Sequence, residues 1–263
     1  MGIAEVKSEL NDILALPIMD FQIKKDKLLN FVNVNVSSNK VGILKLVEKA
    51  KKEIAFIDSE IDRVGNMMRF ENKYSDEYHA ICGCDEVGRG PFAGPVVTAA
   101  VILPKNIVIP YINDSKQVPE KIREELYDII RDVAVSYSFG IKDEKFIDEY
   151  GIKDADLLAM RDSVLGLDVP ADMVLVDAFQ IPDLDLKQVA ITKGDTISQS
   201  IAAASIIAKV KRDRFMEEMD EKYPEYGFKK NKGYGTADHI AALKKYGPCP
   251  IHRMSFIKNF IEQ

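Results

Sequence analysis

Cysteine is scarce: Cys82, Cys84 and Cys249 are the only three in 263 residues, and no CxxC pair is among them. That excludes a disulfide framework and a cysteine-based zinc site. Cys82 and Cys84 alternate along an apolar stretch and are expected as buried thiols in a strand. No apolar run reaches the roughly 18 residues of a membrane span. The opening MGIAEVKSELNDILALPIMD lacks the basic start, apolar centre and small-residue cleavage site of a signal peptide. The expectation is a cytoplasmic protein with no membrane partner. Internal repeats, low-complexity tracts and a GxxxxGK[ST] phosphate loop are also missing. Positive charge is in deficit, 36 Lys and Arg against 42 Asp and Glu for a net charge of -6, which taken alone argues against a nucleic-acid partner.

A whole-chain sum hides local asymmetry. Lys209, Lys211, Arg212, Arg214, Lys222, Lys229, Lys230 and Lys232 fall in one short stretch, enough for one basic face on an acidic molecule. A solvated helix face explains the same residues equally well. With 46% hydrophobic and 30% charged residues the chain has the balance of a soluble globular protein. Its length suits one well-cored domain plus an appendage.

Residues 1–75 are rich in Lys, Glu, Asn and Ile at helical spacing and almost free of glycine and proline punctuation. They read as a helical appendage with a packing or substrate-gripping role. Residues 76–263 read as the main domain. There, short β-type runs (HAICGC, GPVVTAAVIL, VAVSYSFGI, MVLVDAF, QVAITKG) give way to helical ones (EKIREELYDIIRDV, DADLLAMRDSVLGL, TISQSIAAASIIAKVKRDRFMEEM, TADHIAALKKYG). The first strands come close together and later ones alternate with helices. The expected fold class is therefore α/β, a mixed sheet flanked by helices.

Chemistry concentrates where acids follow apolar strands. Asp85 and Glu86 end one such run just before a turn containing Gly88, Arg89, Gly90 and Gly94. An unpaired charge after buried residues is expensive unless a cation or donor compensates it. The glycines let backbone N–H groups approach an anion or sugar closely, although a purely structural turn fits the bare GxGxxxG pattern as well. Asp177 ends Met173-Val174-Leu175-Val176 in the same way. A lone strand-end Asp is more often a cap or turn residue than a ligand, but two on neighbouring parallel strands would face one sheet edge, where α/β proteins place their ligands. Asp195, between a strand and the long helix beginning near Thr196, also reads as that helix's N-cap. If the four carboxylates converge they repel one another. Mg2+ or Mn2+, hard ions that take oxygen ligands, would resolve the repulsion. Two such ions about 3.5 to 4 Å apart support phosphodiester hydrolysis. Tyr234, flanked by glycines in Lys232–Thr236, suits stacking on a base or sugar or is an incidental loop aromatic. His252 reads as a structural histidine rather than a proton shuttle.

Taken together, DEVGRGPFAGPVV at 85–97, NDSK at 113–116, LVDAF at 175–179, KGD at 193–195, IAAASIIAKVKRD at 201–213, KGYGT at 232–236 and HRMSF at 252–256 resemble the type 2 ribonuclease H family, ribonuclease HII. The N-terminal extension is similar to that of Gram-positive members. The resemblance implies a ribonuclease H-like fold and a catalytic metal site of Asp85, Glu86, Asp177 and Asp195 loaded with Mn2+ or Mg2+. It also implies cleavage of the RNA strand of RNA–DNA hybrids and incision 5′ of single ribonucleotides in duplex DNA, as in ribonucleotide excision repair, leaving 3′-hydroxyl and 5′-phosphate ends. Gly88, Arg89 and Gly90 match the loop that senses the ribose 2′-hydroxyl, the group that distinguishes RNA from DNA. Tyr234 matches the tyrosine at the RNA–DNA junction, and Lys116 a substrate contact. Ala178 stands where glycine is usual, Gln117 where lysine is frequent, and Asn231 where histidine is common. These departures bear on substrate grip.

Three alternatives stand beside this reading. A non-catalytic hybrid-binding module would keep the fold without cutting, and a magnesium-dependent nucleotide phosphatase or kinase would use DEVGRGPFAG as a phosphate loop. Docking on replication machinery through residues 257–263 is the third, with packing of that segment on the domain preferred. A monomer is the expected state.

Overall fold

The computed structural model describes residues 2–261. The chain divides into two compact units, one comprising the residues up to Met67 with Ile107–Tyr111, the other Met68–Asn106 and the chain from Ile112 onward.

Three helices build the first unit: α1 (Ile3–Leu14), α2 (Phe21–Asn35) and α3 (Val41–Met67). Val6, Leu10 and Ile13 of α1 and Ile43, Val47, Ala50 and Ile57 of α3 recur at helical spacing. With Leu28 and Phe31 of α2 they bury one shared core. The segment Ile107–Tyr111 belongs here because Tyr111 N donates to Glu60 Oε1 at 2.6 Å and its ring meets Phe56 at 5.5 Å between centroids.

The second unit runs α4 (Arg69–Tyr74), β1 (Ile81–Val87), β2 (Val96–Ile102), α5 (Glu120–Val133), β3 (Ser136–Lys142), α6 (Glu144–Tyr150), α7 (Ile152–Leu165), β4 (Met173–Asp177), β5 (Lys187–Ile191), α8 (Gln199–Lys222), α9 (Phe228–Asn231), α10 (Ala237–Tyr246) and α11 (Met254–Ile261). Its sheet has the order β3-β2-β1-β4-β5. β1, β2 and β3 pair antiparallel, and β1, β4 and β5 pair parallel, so the mixed α/β sheet is the one expected.

Strand alternation assigns the two faces. Cys82 and Cys84 of β1 and Val174 and Val176 of β4 pack with Met160 and Val164 of α7. Met173 and Leu175 point the other way, onto Ile201 of α8. Gly83 shares that second face, and a Cβ on it would lie 2.1 Å from the carbonyl carbon of Ser200. Only glycine lets α8 start this close to β1.

One local feature departs from the sequence reading. α6 is a separate short helix, set off from α7 by Gly151 at φ 82°. β4 and β5 are joined through residues 178–186 without a helix. There the Gln188 side chain bonds to Ile181 N, Ile181 O and Leu184 O, satisfying the connection locally. α4 lies in the second unit, and Glu71 ties it there by accepting from Ser198 Oγ, Ser200 N and Ser200 Oγ at 2.7, 2.9 and 2.5 Å. No helix among the described residues is long and apolar enough to cross a membrane.

Candidate active site

The parallel register of β1 and β4 pairs Cys84 with Val176. One step further along each strand are Asp85 and Asp177, on adjacent strands about 4.8 Å apart and on the α8 face. Glu86 turns to the α7 face at the same edge. One oxygen from each of Asp85, Glu86 and Asp177 can be chosen so that all lie within 4.8 Å of one another. Backbone amides fix two of them: Glu86 N donates to Asp85 Oδ1 and Gly194 N to Asp177 Oδ1, both at 2.7 Å.

Asp195 lies outside that triad, on a 3-10 turn, Gly194–Thr196. The expectation that it caps the long helix is overturned. α8 begins at Gln199, and its cap is Ser198, whose Oγ accepts from Ile201 N at 3.3 Å. Residues 194–198 are taken up by the turn, with Ile197 N and Ser198 N both donating to Gly194 O. The Asp195 carboxylate is left to interact with Asp114, Asp177 and Lys116.

Burial, reinforced by Glu86 and Asp177, pushes the Asp85 carboxyl well above the ordinary carboxylate range. Burial and then Asp156 push Glu86 up to about 7. Burial, then Asp114 and Asp177, push Asp195 up to about 6, and burial raises Asp177. Without a counter-cation, burial and mutual repulsion both favour the protonated forms of these acids. The donor set is all carboxylate oxygen, which fits a hard divalent ion such as Mg2+ or Mn2+.

Two buried arginines shape the turn after β1. Arg253 donates from Nε to Gly94 O, from Nη1 to Arg89 O and from Nη2 to Gly88 O at 2.9, 3.0 and 2.6 Å. Arg212 donates to Pro95 O, Lys232 O and Ala93 O at 2.9, 2.8 and 3.0 Å. Both are 0% exposed. Burial pulls Arg212 down to about 10 and Arg253 to about 9, which leaves both charged at neutral pH. Gly88 sits at φ 95° with the Arg212 side chain 2.3 Å from where a Cβ would be, so no other residue fits. At least half of the basic stretch is internal or ion-paired. Arg212 is internal, and Lys209, Arg214 and Lys232 are paired with Asp213, Glu124 and Glu217 at 2.5, 2.5 and 2.7 Å.

The second loop carries Tyr234, 43% exposed. A Cβ on Gly90 would sit 3.8 Å from its Cε1, so the glycine turn and the tyrosine ring are neighbours. Asn231 supports this loop, donating from Nδ2 to Tyr226 O and accepting from Gly233 N at 2.7 and 2.8 Å. His252 is structural. Its Nδ1 accepts from Cys249 N at 2.9 Å, so Nε2 carries the proton and donates to His239 Nε2 at 2.9 Å. His239 Nδ1 in turn donates to Tyr234 O at 2.9 Å. Burial pulls His252 down to about 4 and lowers His239, which keeps the pair neutral. Burial works against the Lys116 ammonium, but Asp114, Asp85 and Asp195 raise it, so this lysine lies in the field of the acids. Gln117 bonds to Asp114 and Asn113 at 3.3 and 3.4 Å.

Two acids near the site were not assigned from sequence. Asp114 lay inside the NDSK segment but carried no role. Asp156 sits among the buried positions of α7, Ala155, Ala159, Met160, Ser163 and Val164, and a carboxylate at that spacing was the available signal. The structure therefore brings Asp85, Glu86 and Asp177 together, sets Asp195 and Lys116 beside them, and sets Tyr234 against Gly90 in the Gly88–Gly90 turn.

A family model described as Ribonuclease HII matches residues 82–259. A ribonuclease HII of Ruminiclostridium cellulolyticum is 50% identical over 219 residues, covering 83% of this chain and 86% of its own length. One from Clostridium beijerinckii is 42% identical over 265 residues, covering 99% of this chain and 96% of its own. Among solved structures, the ribonuclease H2 from Pyrococcus horikoshii OT3 is similar with a TM-score of 0.59 and 26% identity, covering 69% of this chain and 97% of that one.

Proposed function

The chain belongs to the ribonuclease HII family of metal-dependent endoribonucleases, and from that premise we propose that it hydrolyses the RNA strand of RNA–DNA hybrids and incises 5′ of single ribonucleotides in duplex DNA by two-metal-ion hydrolysis. The observation that carries the reading is the convergence of Asp85, Glu86 and Asp177 at one sheet edge. With Asp195 they are the residues that would hold Mg2+ or Mn2+. Bound there, the ions supply an activated water and stabilisation of the leaving oxygen.

The chain's own contribution is placement. The Gly88-Arg89-Gly90 turn, anchored through its carbonyls by Arg253, offers backbone close to a ribose 2′-hydroxyl. Tyr234 stacks beside it, its carbonyl fixed by His239. Lys116 meets a phosphate next to the acids. The helical unit of residues 1–67 is assigned an accessory role in substrate grip or packing, and the acting species is a monomer. A weak replication-machinery contact through residues 257–263 is kept as part of the reading, in line with the Archaeoglobus fulgidus ribonuclease HII solved in complex with PCNA. Of that segment Ile257 is buried and Phe260 lies 5.0 Å from Phe92 between ring centroids, and residues 262–263 lie outside the described residues.

The test is cleavage of a labelled DNA duplex containing one ribonucleotide, with Mg2+, Mn2+ or chelator, comparing the wild type with Asp85→Asn. A metal-dependent cut on the 5′ side, leaving 3′-hydroxyl and 5′-phosphate ends and abolished by the substitution, is expected. Retained duplex binding without cleavage under any metal would replace this reading with the non-catalytic module.

A further inference from the structure

α7 turns Ala155, Ala159, Met160 and Val164 inward, and Asp156 is buried with them at 3% exposure. A carboxylate in such a setting is costly unless it is paired. Its pairing is with the turn after β1: Arg89 Nε lies 3.3 Å from Asp156 Oδ2. The other oxygen, Oδ1, is buried with no hydrogen-bond partner. The same guanidinium has Nη1 3.9 Å from Glu86 Oε1 and lies 5.8 Å from the centre of the Phe179 ring. Glu86 faces α7 because it follows Cys84 by two in the strand, which is why a residue of this helix reaches the edge of the site at all.

Arg89 is 40% exposed at its side chain, whereas Asp156 is 4% exposed. The packed member of the pair is therefore the carboxylate, held in the helix face, and the exposed member is the cation on the turn. An arginine left free samples many rotamers and loses that freedom when it meets a ligand. One held beforehand loses less, which is how preorganisation raises affinity. A guanidinium held by Asp156 also stays at 3.9 Å from Glu86 instead of closing on it, so the Glu86 carboxylate remains available.

We propose that Asp156 is a positioning residue that acts through Arg89, holding its guanidinium at the rim of the acidic cluster for the substrate's phosphodiester backbone. This rests on the nuclease reading for its kinetic consequence, but the pairing itself can be tested without catalysis. Asp156→Asn keeps the shape and removes the charge. On a duplex with one ribonucleotide it is expected to raise KM about ten-fold while kcat changes less than about three-fold, and in an Arg89→Ala background to change KM less than about two-fold, because the partner is already gone. Arg89→Ala alone lowers the melting temperature by leaving a buried carboxylate unpaired, and adding Asp156→Asn restores it. The same cycle read as duplex Kd in chelator needs no turnover, so failure of the nuclease reading would leave this arm interpretable. Asp156→Ala serves where the Asn variant does not fold. Equal factors for the Asp156 substitution in both backgrounds, in Kd and in KM, would overturn the proposal and reduce Asp156 to a packing residue of α7.

Discussion

Replacing Glu86 with Gln should stabilise the metal-free protein above neutral pH and weaken it relative to wild type once metal is added. Burial and neighbouring acids raise the Glu86 carboxyl from 4.5 to about 7 in the folded chain. A carboxyl whose folded pKa is raised contributes its full stability below the unfolded value, near pH 4.5, and loses it as pH climbs through 7. At 1.36 kcal/mol per unit the span is about 3 kcal/mol. Asp85 and Asp177 share the same repulsion and 19% of the side chain is still exposed, so about 1–3 kcal/mol is expected to reach the variant. Gln imitates the protonated form at every pH. With about 2–4 °C per kcal/mol for a chain of this size, Glu86→Gln in chelator at pH 8 should melt about 2–12 °C above wild type, and at pH 5 within about 2 °C of it. Saturating Mn2+ should reverse the order, since metal at 100 times its Kd adds about 2.7 kcal/mol to a protein that binds it and the variant has lost a ligand. Calorimetric melts at the two pH values, with and without Mn2+, decide the matter. A variant that melts at or below wild type in chelator at pH 8 would refute the claim that these acids are held together against their own repulsion.

Ala178 occupies the left-handed region at φ 61° directly after Asp177, where an L-residue costs about 1–2 kcal/mol and glycine loses about 0.5–1 kcal/mol to chain entropy. Ala178→Gly should therefore raise the melting temperature by about 1–4 °C, and a fall would show that the strain is not there. Arg253→Lys replaces three directed donors with one ammonium and should cost about 2–4 kcal/mol by denaturant titration, with KM raised as the Gly88–Gly90 carbonyls lose their anchor. Glu71→Ala removes the acceptor shared by Ser198 and Ser200. It should cost about 1–3 kcal/mol and speed amide exchange in residues 194–200, and Glu71→Gln should recover part of both. Unchanged exchange there would mean that Glu71 does not hold the turn carrying Asp195.

Elements whose stability is local were legible in the sequence. α5 occupies the same residues as the amphipathic run read for it, Glu120–Val133, and β1, β2 and β4 follow their apolar, β-branched stretches. What the pattern could not carry was decided by single side chains acting at a distance in the chain. A boundary near residue 75 followed from composition, but Glu71 reaches 127 residues ahead to Ser198 and keeps α4 with the sheet. β4 and β5 were read as successive strands, but the bonds that close their connection, from the Gln188 amide to the Ile181 backbone, were not legible in the pattern.

The site divides along the same line. Asp85, Glu86 and Asp177 stood out as acids closing apolar runs, and strand register brings them together. Asp195 was visible as an acid near a helix start, and composition alone placed that start near Thr196. The hydrogen bonds of the Gly194 turn leave Ser198, not Asp195, at the N-cap of α8. The arginines were the least legible, because sequence does not say whether a guanidinium faces water or main chain. Arg212 and Arg253 point inward onto six carbonyls of the two loops that flank the acids. Their charge is spent on shaping backbone, whereas Arg89 and Lys116 act directly on the acids. On the proposed reading this reconciles a net charge of -6 with a polyanionic substrate: two buried arginines fix the loops from inside, and Arg89, Lys116 and a carboxylate cluster suited to divalent ions are the groups assigned to meet it.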